Sequence, residues 1–185
     1  MKIMRMKWVV VIWLLLVPQV LCERVERVID GDTILLENGE KVRLIGIDAP
    51  EYYKLTDKEK FGLDEDYLYE WGVKAKLYLE DRILNKDVSL EYDREKRDCY
   101  GRLLAYVYLD HEMINRTMIK EGYARSTPEF EFKYREEFIE LEKEAKKERK
   151  GMWHEKGNRN FFPYIVIGVS GFIISVYLLL LHSRK

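Results

Sequence analysis

Hydrophobic and polar positions change period several times along this chain, and each change predicts an element. A period of two marks Arg24–Ile29, Thr33–Glu37, Lys41–Ile47, Val88–Tyr92 and Arg102–Tyr108 as strands. Between the second and third, Asn38-Gly39 is a two-residue hairpin turn signal. Helical spacing takes over at Val73–Leu84, opened by Trp71-Gly72, where Ala75, Leu79 and Ile83 recur at i, i+4, i+8. A shorter helix is predicted over Ile114–Glu121, stopped by Gly122. A last helix is predicted over Tyr134–Lys150, with Phe138, Leu141 and Ala145 inward and Gly151 as its stop. Asp93–Tyr100 is predicted as a polar loop. Tyr52–Glu70, with four tyrosines, six acids and three lysines, is predicted as a long one, either a solvated insertion or a lid. Five strands opening on a meander and interleaved with three helices predict an α+β fold, a five-stranded Greek-key OB-type β-barrel with three helices.

Two apolar runs fall outside this pattern. The first, Trp8–Val17, follows Lys2, Arg5 and Lys7 and is broken by Pro18, so residues 1–22 are expected to be a signal peptide or N-terminal anchor. The second, Phe161–Leu181, is 21 residues without a charge, long enough for a transmembrane helix. His182-Ser183-Arg184-Lys185 then forms a basic tail suited to the cytoplasmic side. The expected organisation is a folded domain over 23–157, a short linker at 158–160, the transmembrane helix at 161–181 and the cytoplasmic tail at 182–185. The protein is accordingly expected to be a single-pass protein of the cell membrane, with its domain extracytoplasmic.

Charge narrows the function. The whole-chain value of −1 conceals a segment, residues 23–160, with 27 basic and 33 acidic residues, a net of −6. That excludes a protein that grips long nucleic acid by charge alone, but not one that acts on phosphodiesters through a bound cation and a few arginines. Cys22 and Cys99 are the two cysteines, and removal of a leader ending at Cys22 leaves no internal disulfide.

The candidate chemistry gathers between Val28 and Glu51. Asp32 enters the predicted hairpin, Asp48 leaves it, and Glu51 follows Pro50. Two carboxylates joined by a folded-back ribbon can converge on one divalent cation, and hard cations want several oxygen ligands. Arg43 lies an odd number of residues before Asp48, which puts the two on opposite faces of a regular strand. A twist or bulge near Gly46 is needed to bring them together. Each residue alone has a duller reading: Asp32 shapes a turn, Asp48 ends a strand, Glu51 is an exposed acid, and Arg43 and Arg102 face outward beside surface acids. His111 and His154 have no metal-ligand partner in sequence and read as surface residues. Asn115-Arg116-Thr117 matches the glycosylation acceptor pattern but falls at a helix start, where it reads as accidental.

DGDT at 30–33, RLIGIDAPE at 43–51 and DCYGRLLAYVY at 98–108, in this order, resemble the three blocks of the staphylococcal-nuclease-like (thermonuclease) family. The resemblance covers roughly residues 23–157, and Trp153 stands where the family keeps a tryptophan after its last helix. It implies the same barrel and a nuclease that hydrolyses phosphodiester bonds of DNA, with RNA as a further substrate and Ca²⁺ as cofactor. It implies Asp32, Asp48 and the main-chain carbonyl of Ala49 as metal ligands, with Ala49 where the family often has Thr. Glu51 is implied as general base, and Arg43 and Arg102 as the groups that hold the phosphate. Tyr100 and Phe130 are the substrate-binding candidates. Two departures stand out. Cys99 replaces a lysine that often precedes the family's Tyr-Gly-Arg, and Pro128 and Phe130 fall where tyrosines cradle the nucleotide. Phe130 can stack on a base but cannot donate a hydrogen bond to phosphate. The rival expectation is a non-catalytic nucleic-acid-binding or scaffold module on the same fold. The expected partners are nucleic acid and the membrane, with no protein partner.

Overall fold

The computed structural model describes residues 22–52 and 58–154. Strand β1 (Cys22–Val28) pairs antiparallel with β2 (Thr33–Leu36), which pairs antiparallel with β3 (Lys41–Leu44). After β4 (Ile47–Asp48) come helix α1 (Lys58–Phe61) and the long α2 (Glu65–Ile83). Strand β5 (Asp87–Arg97) pairs antiparallel with the other end of β1 and with β6 (Leu103–Leu109). The barrel closes where β6 runs parallel to β3, with Val42 opposite Leu103 and Leu44 opposite Ala105. This is the expected five-stranded closed barrel. A short β7 (Glu112–Met113) folds back antiparallel beside the end of β6, and α3 (Ile114–Lys120) follows directly. Strand β8 (Arg125–Ser126) pairs with β4 in a separate two-stranded ribbon, and α4 (Arg135–Lys147) and a 3₁₀ turn (Gly151–Trp153) complete the domain.

One core fills the barrel and the helices lean on it. Val25, Ile34, Leu36, Val42, Leu44 and Val107 point inward from the strands and are fully buried or nearly so. Ala75, Leu79 and Ile83 of α2 are fully buried at the spacing that predicted the helix. Burying a side chain the size of Leu79 stabilises the fold by roughly 1.5–3 kcal/mol. Phe138 and Ala145 of α4 are buried as expected, and Leu141 packs partly buried against the same core. A second, smaller cluster joins Phe61, Leu68 and Met152, and the Tyr67 hydroxyl donates to the carbonyls of Met152 (3.2 Å) and His154 (3.3 Å).

Five local expectations are corrected. The Tyr52–Glu70 stretch is not one long loop, since α2 begins at Glu65, capped by the Asp64 carboxylate, which accepts from the Asp66 N–H. Trp71-Gly72, read as a helix start, lies inside that helix. Gly72 is there because a Cβ would meet the Pro50 carbonyl oxygen at 2.7 Å and the Glu51 backbone at 2.8 Å. Asp93–Tyr100 is largely strand: β5 runs on to Arg97, beyond the packed barrel, where exposed residues carry no apolar alternation. At the hairpin tip only Gly39 is left-handed (φ 84°), its N–H donates to the Leu36 carbonyl, and Leu36 N–H donates to Glu40 O. The loop is therefore a three-residue turn closed by glycine rather than a two-residue one. The last helix also stops earlier than Gly151, with Arg149 left-handed at φ 57° and Lys150 N–H returning to Ala145 O.

Asn115 is fully buried and ties the barrel together, accepting from Val107 N–H and donating to the carbonyls of Ile45 and Ala105. Burial removes the glycosylation reading. Cys22 and Cys99 are exposed free thiols. Among the described residues no helix is long and apolar enough to cross a membrane; the expected leader, linker, span and tail lie outside them, apart from Cys22.

Candidate active site

The turn into β2 is shaped for a buried carboxylate. Asp30 Oδ1 accepts from the Asp32 N–H (3.0 Å), and Gly31 lies so close to α2 and the β4 end that a Cβ would meet Ala49 Cβ at 2.6 Å and Ala75 Cβ at 2.8 Å. Asp32 is thereby driven inward and is 6% exposed. Its Oδ2 accepts from the Ala49 N–H (2.8 Å), and its Oδ1 from Thr33 Oγ1 (3.0 Å) and from Arg43 Nη1 (2.7 Å). Ala49, expected as a carbonyl ligand, also fixes Asp32 through its amide.

The parity problem of Arg43 and Asp48 is solved at Gly46. This residue is left-handed (φ 79°), breaks β3 from β4, and lets the chain pass Phe132, whose ring carbon would lie 2.6 Å from a Cβ. Beyond the bend Asp48 Oδ1 returns to 3.4 Å from Arg43 Nη2. One guanidinium therefore bridges both carboxylates. A second arginine, Arg125 on β8, closes the other side: its Nε and Nη2 both lie 3.1 Å from Asp48 Oδ2.

The two carboxylates remain short of positive charge. Burial pushes Asp32 up to about 6, with Asp30 adding to the rise and Arg43 and the Ala49 N–H opposing it. Burial and the Asp32 charge likewise raise Asp48, against Arg43 and Arg125. A hard divalent cation relieves that repulsion, and the donors are all oxygen. Among the described residues no group of three or more His, Cys, Asp or Glu side chains forms a cage. The residues present fit an open, oxygen-lined cation site completed by a main-chain carbonyl and solvent, not a closed site of soft ligands.

Glu51 is half-buried three residues beyond Asp48, its backbone seated against Gly72 of α2. Arg43 and Arg102 line one cleft of about 660 Å³, together with Tyr100, Phe130 and Cys99. Arg102 does not touch the Asp32–Arg43–Asp48 group directly; its Nε donates to Asp98 Oδ2 at 2.7 Å. Asp98 builds this corner. Its Oδ1 accepts from the N–H groups of Tyr100 and Arg102, both at 2.9 Å. Partial burial would raise its carboxyl, but hydrogen bonds from Arg102 win and hold it below the usual range. Tyr100 is 82% exposed and Phe130 64% exposed, two bare aromatic surfaces on the cleft. The Arg102 guanidinium stands 5.6 Å from the Tyr100 ring.

Two residues of this constellation were not among the sequence candidates. Asp98 had a local signature, an acid followed by Tyr-Gly-Arg in a turn. Arg125 had none, because its partner lies 77 residues earlier.

The family model for staphylococcal nuclease homologues matches residues 41–155. An uncharacterized protein of Methanocaldococcus jannaschii is 39% identical over 151 residues, covering 73% of this chain and 72% of its own. The thermonuclease of Staphylococcus intermedius is 41% identical over 134 residues, covering 70% of this chain and 74% of its own. Endonuclease YncB of Bacillus subtilis is 36% identical over 145 residues, covering 74% of this chain and 64% of its own.

Proposed function

The chain belongs to the staphylococcal nuclease homologue family, and on that premise we propose that it is a Ca²⁺-dependent nuclease hydrolysing phosphodiester bonds in DNA and RNA. One observation carries the reading beyond family membership. Arg43 reaches both Asp32 and Asp48, although strand parity opposes it, and also lines a cleft with Arg102 and two exposed aromatic rings. A fold that needed Asp32 and Asp48 only as turn residues has no reason to bury the one and half-bury the other beside one guanidinium.

Asp32, Asp48 and the Ala49 carbonyl are the groups that would hold the cation. Bound there, Ca²⁺ supplies polarisation of a phosphoryl oxygen and a water of lowered pKa. The chain's own side chains do the rest. Glu51 takes the proton of the attacking water. Arg43 and Arg102 donate planar pairs of N–H groups to the non-bridging oxygens, where charge accumulates in the transition state. With Nε on Asp98, the terminal nitrogens of Arg102 are the ones presented to phosphate. Tyr100 and Phe130 offer their faces to unstacked bases, which favours single strands and frayed ends.

The apolar run at 161–181 and its basic tail support a membrane tether with the nuclease domain on the extracytoplasmic side. Protease added to intact cells then cleaves the domain and spares the tail; external labelling of the tail refutes that orientation.

The enzyme reading is tested by cleavage of an oligonucleotide with and without Ca²⁺, for wild type and Glu51→Gln. The substitution keeps size and hydrogen-bonding shape but removes the base. Turnover is expected to fall on the order of 10²-fold or more, with oligonucleotide binding retained. A folded wild-type protein that binds oligonucleotide yet shows no Ca²⁺-dependent cleavage refutes the enzyme and leaves the binding module.

A further inference from the structure

Arg125 is the least expected member of the site. Its residue is 7% exposed, and all three guanidinium nitrogens are engaged. Nε and Nη2 converge on Asp48 Oδ2, Nη2 also donates to Glu129 Oε1 (2.7 Å), and Nη1 donates to the Ser126 carbonyl (3.1 Å). The Phe61 ring of α1 lies 5.5 Å from the guanidinium carbon. The backbone is fixed as well. Asp48 and Arg125 are direct register partners across the β4–β8 ribbon, and Ser126 is anchored to α4 through Glu142, which accepts from its N–H (2.8 Å) and its hydroxyl.

This arrangement sorts the two oxygens of Asp48. Oδ2 is saturated by Arg125, while Oδ1 faces Arg43 and, through it, Asp32. We propose that Arg125 is a positioning residue that presents Asp48 to the cation as a one-oxygen ligand, leaving Oδ1 free of Arg125 on the side of Arg43. The proposal rests on the reading of Asp48 as a cation ligand. A ligating carboxylate held by an outer hydrogen-bond partner loses orientation when that partner goes, and such losses typically weaken metal affinity about 10- to 100-fold. A planar fork is needed for the task. Lysine carries the charge but cannot hold Oδ2, Glu129 and the Ser126 carbonyl together in one plane.

Charge alone predicts the opposite. Arg125 is a cation beside a cation site, and if it acted only by repulsion its removal would tighten calcium binding. The two accounts differ in sign, so a binding measurement decides between them.

The experiment is isothermal titration of Ca²⁺ into the full chain in detergent, without nucleic acid, for wild type, Asp48→Ala, Arg125→Lys and Arg125→Met. Asp48→Ala tests the underlying reading: unchanged calcium affinity there, or no calcium binding by wild type, overturns both. With Asp48 established, Arg125→Lys and Arg125→Met are expected to bind calcium about 10- to 100-fold more weakly. Removing the guanidinium leaves Asp48 and Glu129 facing each other, so Arg125→Met is the variant at risk of misfolding. Arg125→Lys, checked for native near-UV circular dichroism, then decides alone. Wild-type affinity in folded Arg125→Lys, or tighter binding in folded Arg125→Met, overturns the proposal.

Discussion

Asp32→Asn is expected to stabilise the metal-free fold while weakening the calcium binding proposed for this site. Burial and the neighbouring Asp30 raise the Asp32 carboxyl from 3.8 to about 6 in spite of Arg43 and the Ala49 N–H. An acid raised on folding binds its proton more tightly in the native state. Its stabilising contribution is complete below pH 4 and is lost as pH rises through about 6. A shift from 3.8 to about 6, at roughly 1.4 kcal/mol per pH unit, makes the ionised group cost about 3 kcal/mol above pH 7. Asparagine removes that cost but also the ion pair with Arg43 Nη1 at 2.7 Å; Arg43 keeps Asp48 at 3.4 Å. The net expectation is a gain of about 1–3 kcal/mol at pH 7.5 in EDTA, vanishing at pH 4. Urea unfolding followed by tryptophan fluorescence measures it at both pH values. Added calcium should raise the wild-type midpoint and leave that of Asp32→Asn nearly unmoved. A variant less stable than wild type at pH 7.5, or a gap identical at the two pH values, refutes the reasoning.

Gly46→Ala should destabilise the fold by about 2–4 kcal/mol, from left-handed strain plus overpacking against Phe132 and Phe138, and should weaken calcium binding as Asp48 moves from Arg43. A loss below about 0.5 kcal/mol with unchanged calcium affinity would show that the bend is not fixed by glycine. Arg102→Ala should lower turnover about 10²–10³-fold with calcium affinity unaltered, since its proposed role is to hold the phosphate and its Nε bonds Asp98 rather than the carboxylate pair; equal losses in both point to a structural role. Phe130→Ala should weaken single-stranded oligonucleotide binding by about 1–3 kcal/mol and duplex binding far less, read by fluorescence anisotropy. An equal loss on both substrates counts against stacking.

What was legible in the sequence follows the range of the interactions. The hairpin, the burial face of α2 and the three motif blocks are local patterns. They led to Asp32, Arg43 and Asp48, which lie together, and to Arg102 and Tyr100, which share one cleft with Arg43 and Phe130. Even the break at Gly46 was demanded by parity before it was seen. The start of α2 was missed because Trp71-Gly72 looked like punctuation, whereas Gly72 answers to the backbone of Pro50 and Glu51 rather than to its own helix. The end of β5 was missed because an unpacked strand carries no apolar mark. Arg125 was illegible for a stronger reason: its meaning depends on β4 and β8 being neighbours, and neither short strand has a period to read.

The parallel seam between β3 and β6 also has a consequence for how this protein comes off the ribosome. Asp32, Arg43, Asp48 and Glu51 are all synthesised within the first 51 residues, yet the barrel has an open edge at β3 until Leu103–Ala105 emerge to cover it. Asp48 acquires its Arg125 clamp later still, from 77 residues downstream. Contacts so distant in sequence form late in folding, because their loops must close first. A nascent chain carrying every one of the four acidic and basic groups is therefore still without an assembled site. The same spacing that slows folding therefore also delays assembly of the candidate site.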